Sequence, residues 1–413
     1  MNFDDTPEEA AFRATARAWI DANAPKELEA ELKMGGFASN GLKSVDPMAA
    51  AKAWQKTKQE AGWACLHWPK EYGGRGATPI ERVIWGQEEG VYGALSGLFI
   101  IGHGMCGPTV MAWADEATKE RLLPPLASGE HIWCQLFSEP AGGSDLANLR
   151  TRAERDGDSW VINGSKVWTS GAHYSDWAIL VTRTDPTVPK HKGLTFFFLD
   201  MKTPGVEVRP IKQISGAADF NQVFFTDVRI PDSQRLGAVG QGWQVSITTL
   251  MNERLAVGNA GGVDFDQLFD LAARSEIDGA PAIANAAVRE KLATWYCESS
   301  GLKFTNYRTI SALSRGQTPG PENSITKVVS ANKLQGIASF AIDLMDMGGI
   351  VSDGNDAETD GFLGAYLWSP GIRIAGGTDE ILRNIIAERV LGMPADIRVD
   401  KSLPFNEVPQ GRG

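Results

Sequence analysis

Two segments carry residue types suited to holding a polar, flat ligand. In "CQLFSEPAGGSDLANLRT", Cys134 to Thr151, Gly142 and Gly143 allow backbone to approach a phosphate or a planar ring, and Ser138 and Ser144 offer hydroxyls. A plain connection between two strands would use the same residues. In "KVWTSGA", Trp168 reads either as a core tryptophan or as a ring stacked on a planar ligand, with Thr169 or Ser170 bonded to the ligand's edge. A third segment, "IRIAGGTDEILRNIIAERVLG", sets a Gly-Gly-Thr turn before a helix. A fourth, "LMNERLAV", places Glu253 beside Arg254. A solvated helix residue is the ordinary state of such a glutamate. In a dry pocket its carboxylate becomes a stronger base.

The elements that must position these groups fall into three textures. The first third reads as helices. Thr6, Pro7 and Glu9 form a helix start with a capping box. "MAAAKAWQKTKQEAGWA", "PIERVIWGQEEGVYGA" and "TVMAWADEATKERLLPPLASGE" read as further helices, with Gly/Pro breaks such as "KEYGGRGATP" between them. Near His131 the pattern turns to short β-rich runs. "DGDSWVINGSKVWTS" carries Asp-Gly and Asn-Gly hairpin signals, and "WAILVTRTD", "LTFFFLDM", "VEVRPI" and "QVFFTDVRI" follow. After "GAVGQGW" helical spacing returns. Trp243, Ile247, Leu250, Met251 and Leu255 fall on one face, with Arg254 in the middle of that stripe and Glu253 at its edge. The long runs "PAIANAAVREKLATWYCESSGLKFTNYRTISALSR", "SITKVVSANKLQGIASFAIDLMDM" and "DEILRNIIAERVL" complete an α+β chain. The division is an N-terminal helical domain at 1–130, a middle antiparallel β-barrel domain at 131–237 and a C-terminal four-helix bundle at 238–413.

Composition narrows the chemistry. A chain of 413 residues exceeds one ordinary core. A net charge of −11 argues against general nucleic-acid or anionic-membrane binding, while leaving room for a local basic pocket. The four cysteines are scattered and read as free thiols of a reducing compartment. No run reaches the length of a membrane span and the start lacks a signal-peptide pattern, so the expected location is cytoplasmic. No P-loop, HExxH or clustered metal-ligand set is present in the sequence. The basic loop "PKHKG", Pro189 to Gly193, reads as a solvated turn.

Taken in order, "FSEPAGGSD", "NGSKVWTSGA", "TPGVEVRPI", "FFTDVRIP", "GQGW" and "GGTDEILRNIIAERVLG" resemble the acyl-CoA dehydrogenase family along nearly the whole chain. The resemblance implies FAD as cofactor, an acyl-CoA thioester desaturated between Cα and Cβ, an electron-transfer flavoprotein as electron acceptor, and a homo- or hetero-tetramer. It implies flavin contacts from Gln135, Phe137, Ser138, Gly143, Ser144, Trp168, Thr169, Ser170, Thr378 and Glu380. It assigns Arg254, Ser144, Gly376 and Gly377 to the substrate. Many members carry the catalytic carboxylate where this chain has Gly376. The resemblance places the base instead at Glu253, as in branched-chain, long-chain and several steroid-side-chain members, and leaves the Gly376 amide to donate to the thioester oxygen.

Two family features are missing. No "RxxFG" signature follows "GNAGGVDFDQLFDL", and the "QxxGGxG" region reads "DLMDMGGI", with Asp343 for the glutamine and Asp346-Met347 for the first glycine pair. An aspartate near a pyrophosphate is unfavourable like-charge chemistry. Partial FAD occupancy, or a partner subunit that completes the site, is therefore expected. Two other readings stay open: a half-site subunit of a heteromer, and a flavin oxidase or monooxygenase of the same fold.

Overall fold

The structure is a computed structural model and describes residues 5–34, 42–256, 263–317, 320–321, 323–352, 357–398 and 400–409. Its helices are α1 (Pro7–Asn23), α2 (Glu29–Met34), α3 (Pro47–Glu60), α4 (Pro79–Glu89), α5 (Gly107–Trp113), α6 (Glu116–Ala127), α7 (Gly242–Ala256), α8 (Phe265–Arg274), α9 (Ala286–Ser314), α10 (Asn323–Leu344), α11 (Ala357–Ile372) and α12 (Asp379–Ile385). The strands of the main sheet are β1 (Trp133–Leu136), β2 (Arg152–Asp156), β3 (Ser159–Ser170), β4 (Trp177–Arg183), β5 (Leu194–Asp200), β6 (Val206–Ile211), β7 (Phe220–Pro231) and β8 (Arg235–Leu236). The chain is α+β, with a sheet-rich middle between helical regions. No single described helix is long and apolar enough to cross a membrane.

Two compact units emerge, and each gathers separate stretches of chain. A sheet-centred unit takes Met48–Ala77, Leu95–Ala256 and Asp396–Gly413. A helical unit takes Met1–Pro47, Thr78–Ala94 and Val257–Ala395.

In the sheet-centred unit the strand order is β6-β7-β3-β2-β4-β5-β8, and β1 pairs with β4. Most pairs are antiparallel, but β1 joins β4 in parallel and β2 meets β4 in parallel at Arg152 and Arg183. Strands β4 and β5 are buried on both faces, which is why they read as unbroken apolar runs. Their alternating residues feed two cores. Ile179, Val181, Phe196 and Phe198 pack with helix residues such as Val110, Leu122, Leu123 and Val245. Ala178, Leu180, Phe197 and Leu199 pack instead with sheet residues such as Trp160, Val223 and Phe225. The segment expected as one helix, "TVMAWADEATKERLLPPLASGE", is two. The chain breaks at Ala114, and Asp115 caps α6 by accepting from the Thr118 amide at 2.8 Å.

The stripe expected on α7 is only in part its buried face: Trp243 and Leu250 pack against the core, but Ile247 and Met251 turn away. Ile247 and Met251 are 42% and 53% exposed, whereas Val245, Ser246 and Thr249 are fully buried. Small hydroxyl side chains allow this rotation because their bonds are met locally: Ser246 donates to the Gly242 carbonyl at 2.7 Å, and the Thr249 and Thr109 hydroxyls lie 2.9 Å apart. Trp113 adds an indole N–H bond to the Thr248 hydroxyl at 3.0 Å. Glu253 follows Thr249 by four residues and Ser246 by seven, so it continues the inward row rather than the edge of an apolar stripe.

In the helical unit, Leu268 and Leu271 of α8, Val288, Leu292 and Trp295 of α9, Ile337 and Ala341 of α10 and Phe362 of α11 make one core. These four helices form a bundle, but not from the four runs expected: α7 belongs to the sheet-centred unit, and α8 was not read as a helix from sequence. The helix α11 was not expected from sequence: Gly361, Gly364, Pro370 and Gly371 interrupt its pattern.

Candidate active site

The residues assigned from sequence fall in both units. The sheet-centred unit holds the larger group. Strand β1 alternates Trp133 toward the helix-packed core and Cys134 toward the sheet core, so Gln135 shares the face of Trp133. The Gln135 Nε2 donates to Glu253 Oε2 of α7 at 3.3 Å. The other amide atom, Oε1, is buried and has no hydrogen-bond partner among the described residues. The side chain of Arg254 lies outside the described residues.

Phe137 turns into the core, where its ring meets Phe196 edge-on at 5.7 Å. The "EPAGGSD" turn then closes through mutual backbone bonds between Glu139 and Gly142, at 3.1 and 3.0 Å. Gly143 and Ser144 are exposed and Ser138 is half-buried. Glu139 lies under this turn. Its carboxylate accepts from the Arg150 amide at 2.6 Å, the Thr151 amide at 2.9 Å and Lys166 Nζ at 2.8 Å. Burial alone would raise the Glu139 carboxyl, but the charge of Lys166 and these donors outweigh it and hold it below the ordinary glutamate range.

Strand β3 brings the second segment alongside. The Val167 amide donates to the Ser138 carbonyl at 2.8 Å. The pairing of β3 with β7 then slips between Lys166 and Thr169, and in that bulge Trp168 adopts φ +59°. A bulky residue in the left-handed region is a genuine outlier, and such strain concentrates at functional sites. The bulge turns the indole outward, leaving it 58% exposed with one edge contact to Phe220 at 6.1 Å. Trp168 is thus not a core tryptophan. Thr169 is buried, and its hydroxyl has no partner among the described residues. Ser170 is half-buried opposite Phe220.

Lys190 corrects the reading of "PKHKG" as a solvated turn. Its ammonium is nearly buried and bridges Asp145 at 2.8 Å and Asp400 at 2.6 Å. Both of its carboxylate partners neutralise it within the chain.

The helical unit holds the C-terminal turn. Gly376 and Gly377 have φ of +65° and +96°, and among the described residues nothing lies within 4 Å of a Cβ placed at Gly376. Thr378 caps α12 by accepting from the Ile381 amide at 3.2 Å. Glu380 is exposed in the first turn, where its charge suits the helix dipole. Four residues not singled out from sequence build this turn. Asp379, 2% exposed, accepts from Arg373 at 2.8 Å and Asn332 at 3.1 Å, and Lys327 donates to the Gly377 carbonyl at 2.7 Å. Burial works to raise the Asp379 carboxyl, but Arg373 and Asn332 hold it below the usual range. With Gln335, Pro370, Ile374 and Glu380, Arg373 and Asp379 line an open cleft of about 250 Å³. Asp343 is exposed at the end of α10 and Asp346 is exposed just beyond it, with φ +50°.

The set of groups in the sheet-centred unit fits a planar heteroaromatic cofactor. An outward indole offers a stacking face, and the orphaned Thr169 hydroxyl and Gln135 carbonyl are polar atoms that a ligand edge would satisfy. Comparison with known proteins agrees in class. The acyl-CoA dehydrogenase N-terminal domain matches residues 6–130, the middle domain 134–228 and the C-terminal domain 240–391. The acyl-CoA dehydrogenase IpdE1 of Mycobacterium tuberculosis is 36% identical over 392 residues, covering 94% of this chain and 98% of that protein. The acyl-CoA dehydrogenase FadE34 of the same organism is 38% identical over 337 residues, which are 81% of this chain; the chain spans about half the length of FadE34, 45%. Among solved structures, the Tcur3481-Tcur3483 steroid ACAD matches with a TM-score of 0.78 and 28% identity, over 96% of this chain and 100% of that one. This chain belongs to the acyl-CoA dehydrogenase family, a family of oxidoreductases.

Proposed function

We propose that the protein is an FAD-dependent acyl-CoA dehydrogenase that converts an acyl-CoA thioester to the trans-2-enoyl-CoA, with Glu253 as the base. The observation that carries this reading is the Gln135–Glu253 contact. A carboxylate on the inward row of α7 is held by the strand that runs directly into the "EPAGGSD" turn. Bound FAD would supply the acceptor for the hydrogen leaving Cβ and pass electrons to an electron-transfer flavoprotein.

The chain's own groups have separable roles. Gln135, Ser138, Gly143, Ser144, Trp168, Thr169 and Ser170 would hold the cofactor; Thr378 and Glu380 are assigned to it from the family resemblance alone. Phe137 contributes backbone, since its ring is in the core. Glu253 takes the α-proton of the thioester. Ser144, Arg254 and Gly377 are assigned to the substrate. The Gly376 amide donates to the thioester oxygen, where negative charge develops as the proton leaves. With no side chain at Gly376 and no described residue crowding it, branched or bulky acyl groups are admitted.

A second reading is a half-site subunit of a heteromeric tetramer. The exposed Asp343 and Asp346 favour it, because they stand in the region the family uses for the cofactor's diphosphate side. The steroid ACAD similar to this chain joins Tcur3481 with Tcur3483. We assign steroid-side-chain or fatty acyl-CoA catabolism in the cytoplasm as the setting.

The test is anaerobic flavin reduction by straight, branched, aromatic and steroidal acyl-CoA thioesters, with flavin per chain measured first. Reduction by at least one thioester supports the dehydrogenase. Peroxide formed at the rate of turnover in air would favour an oxidase, and protein that binds no flavin without a partner would favour the half-site subunit.

A further inference from the structure

The buried ion pair Lys166–Glu139 has no part in the chemistry above, yet it lies between the two segments assigned to the cofactor. The side chains are 0% and 5% exposed. Lys166 Nζ reaches two acceptors where β1 ends, the Glu139 carboxylate at 2.8 Å and the Phe137 carbonyl at 3.0 Å. The carbonyl between them in sequence, that of Ser138, accepts from the Val167 amide at 2.8 Å. Glu139 in turn ties down Arg150 and Thr151, where the loop that begins with "EPAGGSD" returns to the sheet. Lys166 is also the last residue in register with β7 before the bulge that presents Trp168. One ammonium therefore fixes three things: the end of β1, the two ends of the glycine turn, and the start of the bulge.

A purely stabilising core position would not need charges. Replacing a buried ion pair by apolar groups of similar volume is often neutral or stabilising. A charged side chain with directional bonds to two acceptors does what an apolar one cannot: it sets a distance. We propose that Lys166 and Glu139 are positioning residues that hold the Ser138–Ser144 turn and the Trp168 indole at the separation the flavin requires. This rests on the FAD reading above.

The test uses the full chain stripped of flavin and titrated with FAD, followed by flavin visible circular dichroism and the midpoint potential of the bound flavin. Lys166→Met alone leaves a buried carboxylate unpaired and is expected to fold poorly. The double variant Lys166→Met/Glu139→Gln removes both charges and is expected to melt close to the parent. Its FAD dissociation constant should rise about tenfold or more, with altered flavin dichroism, because the turn and the indole lose their common anchor. An unchanged dissociation constant and an unchanged spectrum overturn the proposal. If the double variant does not fold, Lys166→Arg decides. It keeps the charge but changes the reach, so weaker FAD binding supports the proposal and parental binding overturns it. A parent protein that binds no FAD, alone or with a partner, removes the cofactor reading and this inference with it.

Discussion

Gln135 donates its side-chain amide to the carboxylate of Glu253 at 3.3 Å, joining the first strand of the sheet to the helix that follows it 106 residues later. The contact orients one carboxylate oxygen, and the buried Gln135 carbonyl is left for a ligand. Replacing Gln135 by Leu should keep the fold. The rate of flavin reduction by the best acyl-CoA should fall about tenfold, the size expected when one hydrogen bond to a charged group is lost at a partly exposed site. Stopped-flow reduction with flavin content held equal checks this. A rate equal to the parent would mean that Glu253 is positioned by other contacts.

The segment at 400–409 is strapped to the loop that carries Ser144. The Arg183 guanidinium lies 3.5 Å from the centre of the Phe405 ring and donates to the Ala147, Leu149 and Lys190 carbonyls. Phe405→Ala should cost about 2 kcal/mol through lost cation–π contact and packing. Phe405→Tyr should recover most of it. Chemical denaturation of the two variants measures the difference.

Asp346 occupies the left-handed region just past α10, with φ +50°. Glycine is the unstrained residue there. Asp346→Gly should stabilise the protein by about 0.5 kcal/mol or more, since relief of strain outweighs the added freedom of the unfolded chain. Asp346→Ala keeps the strain and should not stabilise. Denaturation midpoints of the pair separate backbone relief from loss of charge.

His103 gives stability an acid-side dependence. Its ring stacks on Phe99 at 5.5 Å, and Nε2 lies 2.8 Å from the Leu126 carbonyl. Enclosure by neighbouring atoms lowers its pKa to about 4, a shift the Leu126 carbonyl opposes and Lys58 assists. The folded pKa lies below the unfolded value near 6.5, so between the two the unfolded chain binds more protons. Stability is therefore complete above about pH 6.5 and falls as pH drops toward 4, by up to about 3 kcal/mol. Part of the ring remains accessible, so the lower end of that range is expected. In His103→Gln the slope of unfolding free energy against pH across this window should flatten, as read by urea denaturation at pH 7, 6 and 5.

The parts legible in sequence were those written in short-range chemistry. The Thr6–Glu9 capping box is present as read, and so are the helix that starts at Asp379 and the hairpin-rich run from His131. The outward Trp168 was legible as one of two alternatives; the bulge that settles it depends on register with β7, which no local pattern encodes. The α7 face was read only in part: Trp243 and Leu250 do pack on the core, but its fully buried side is Val245, Ser246 and Thr249, and the two hydroxyls look polar until their bonds are counted. Lys166 and Glu139 were not singled out from sequence, because only the packing of β3 against the end of β1 makes them a buried pair. Asp379 and Lys327 escaped notice for the same reason: their partners come from a different helix or turn.

The most direct measurement is single-turnover flavin reduction in Glu253→Gln, with flavin retained and an acyl-CoA that reduces the parent. Loss of the carboxylate leaves no base to take the α-proton, and reduction should slow by about 10²-fold or more. Reduction within a few-fold of the parent would contradict the assignment of Glu253 and, with it, the mechanism built on α7.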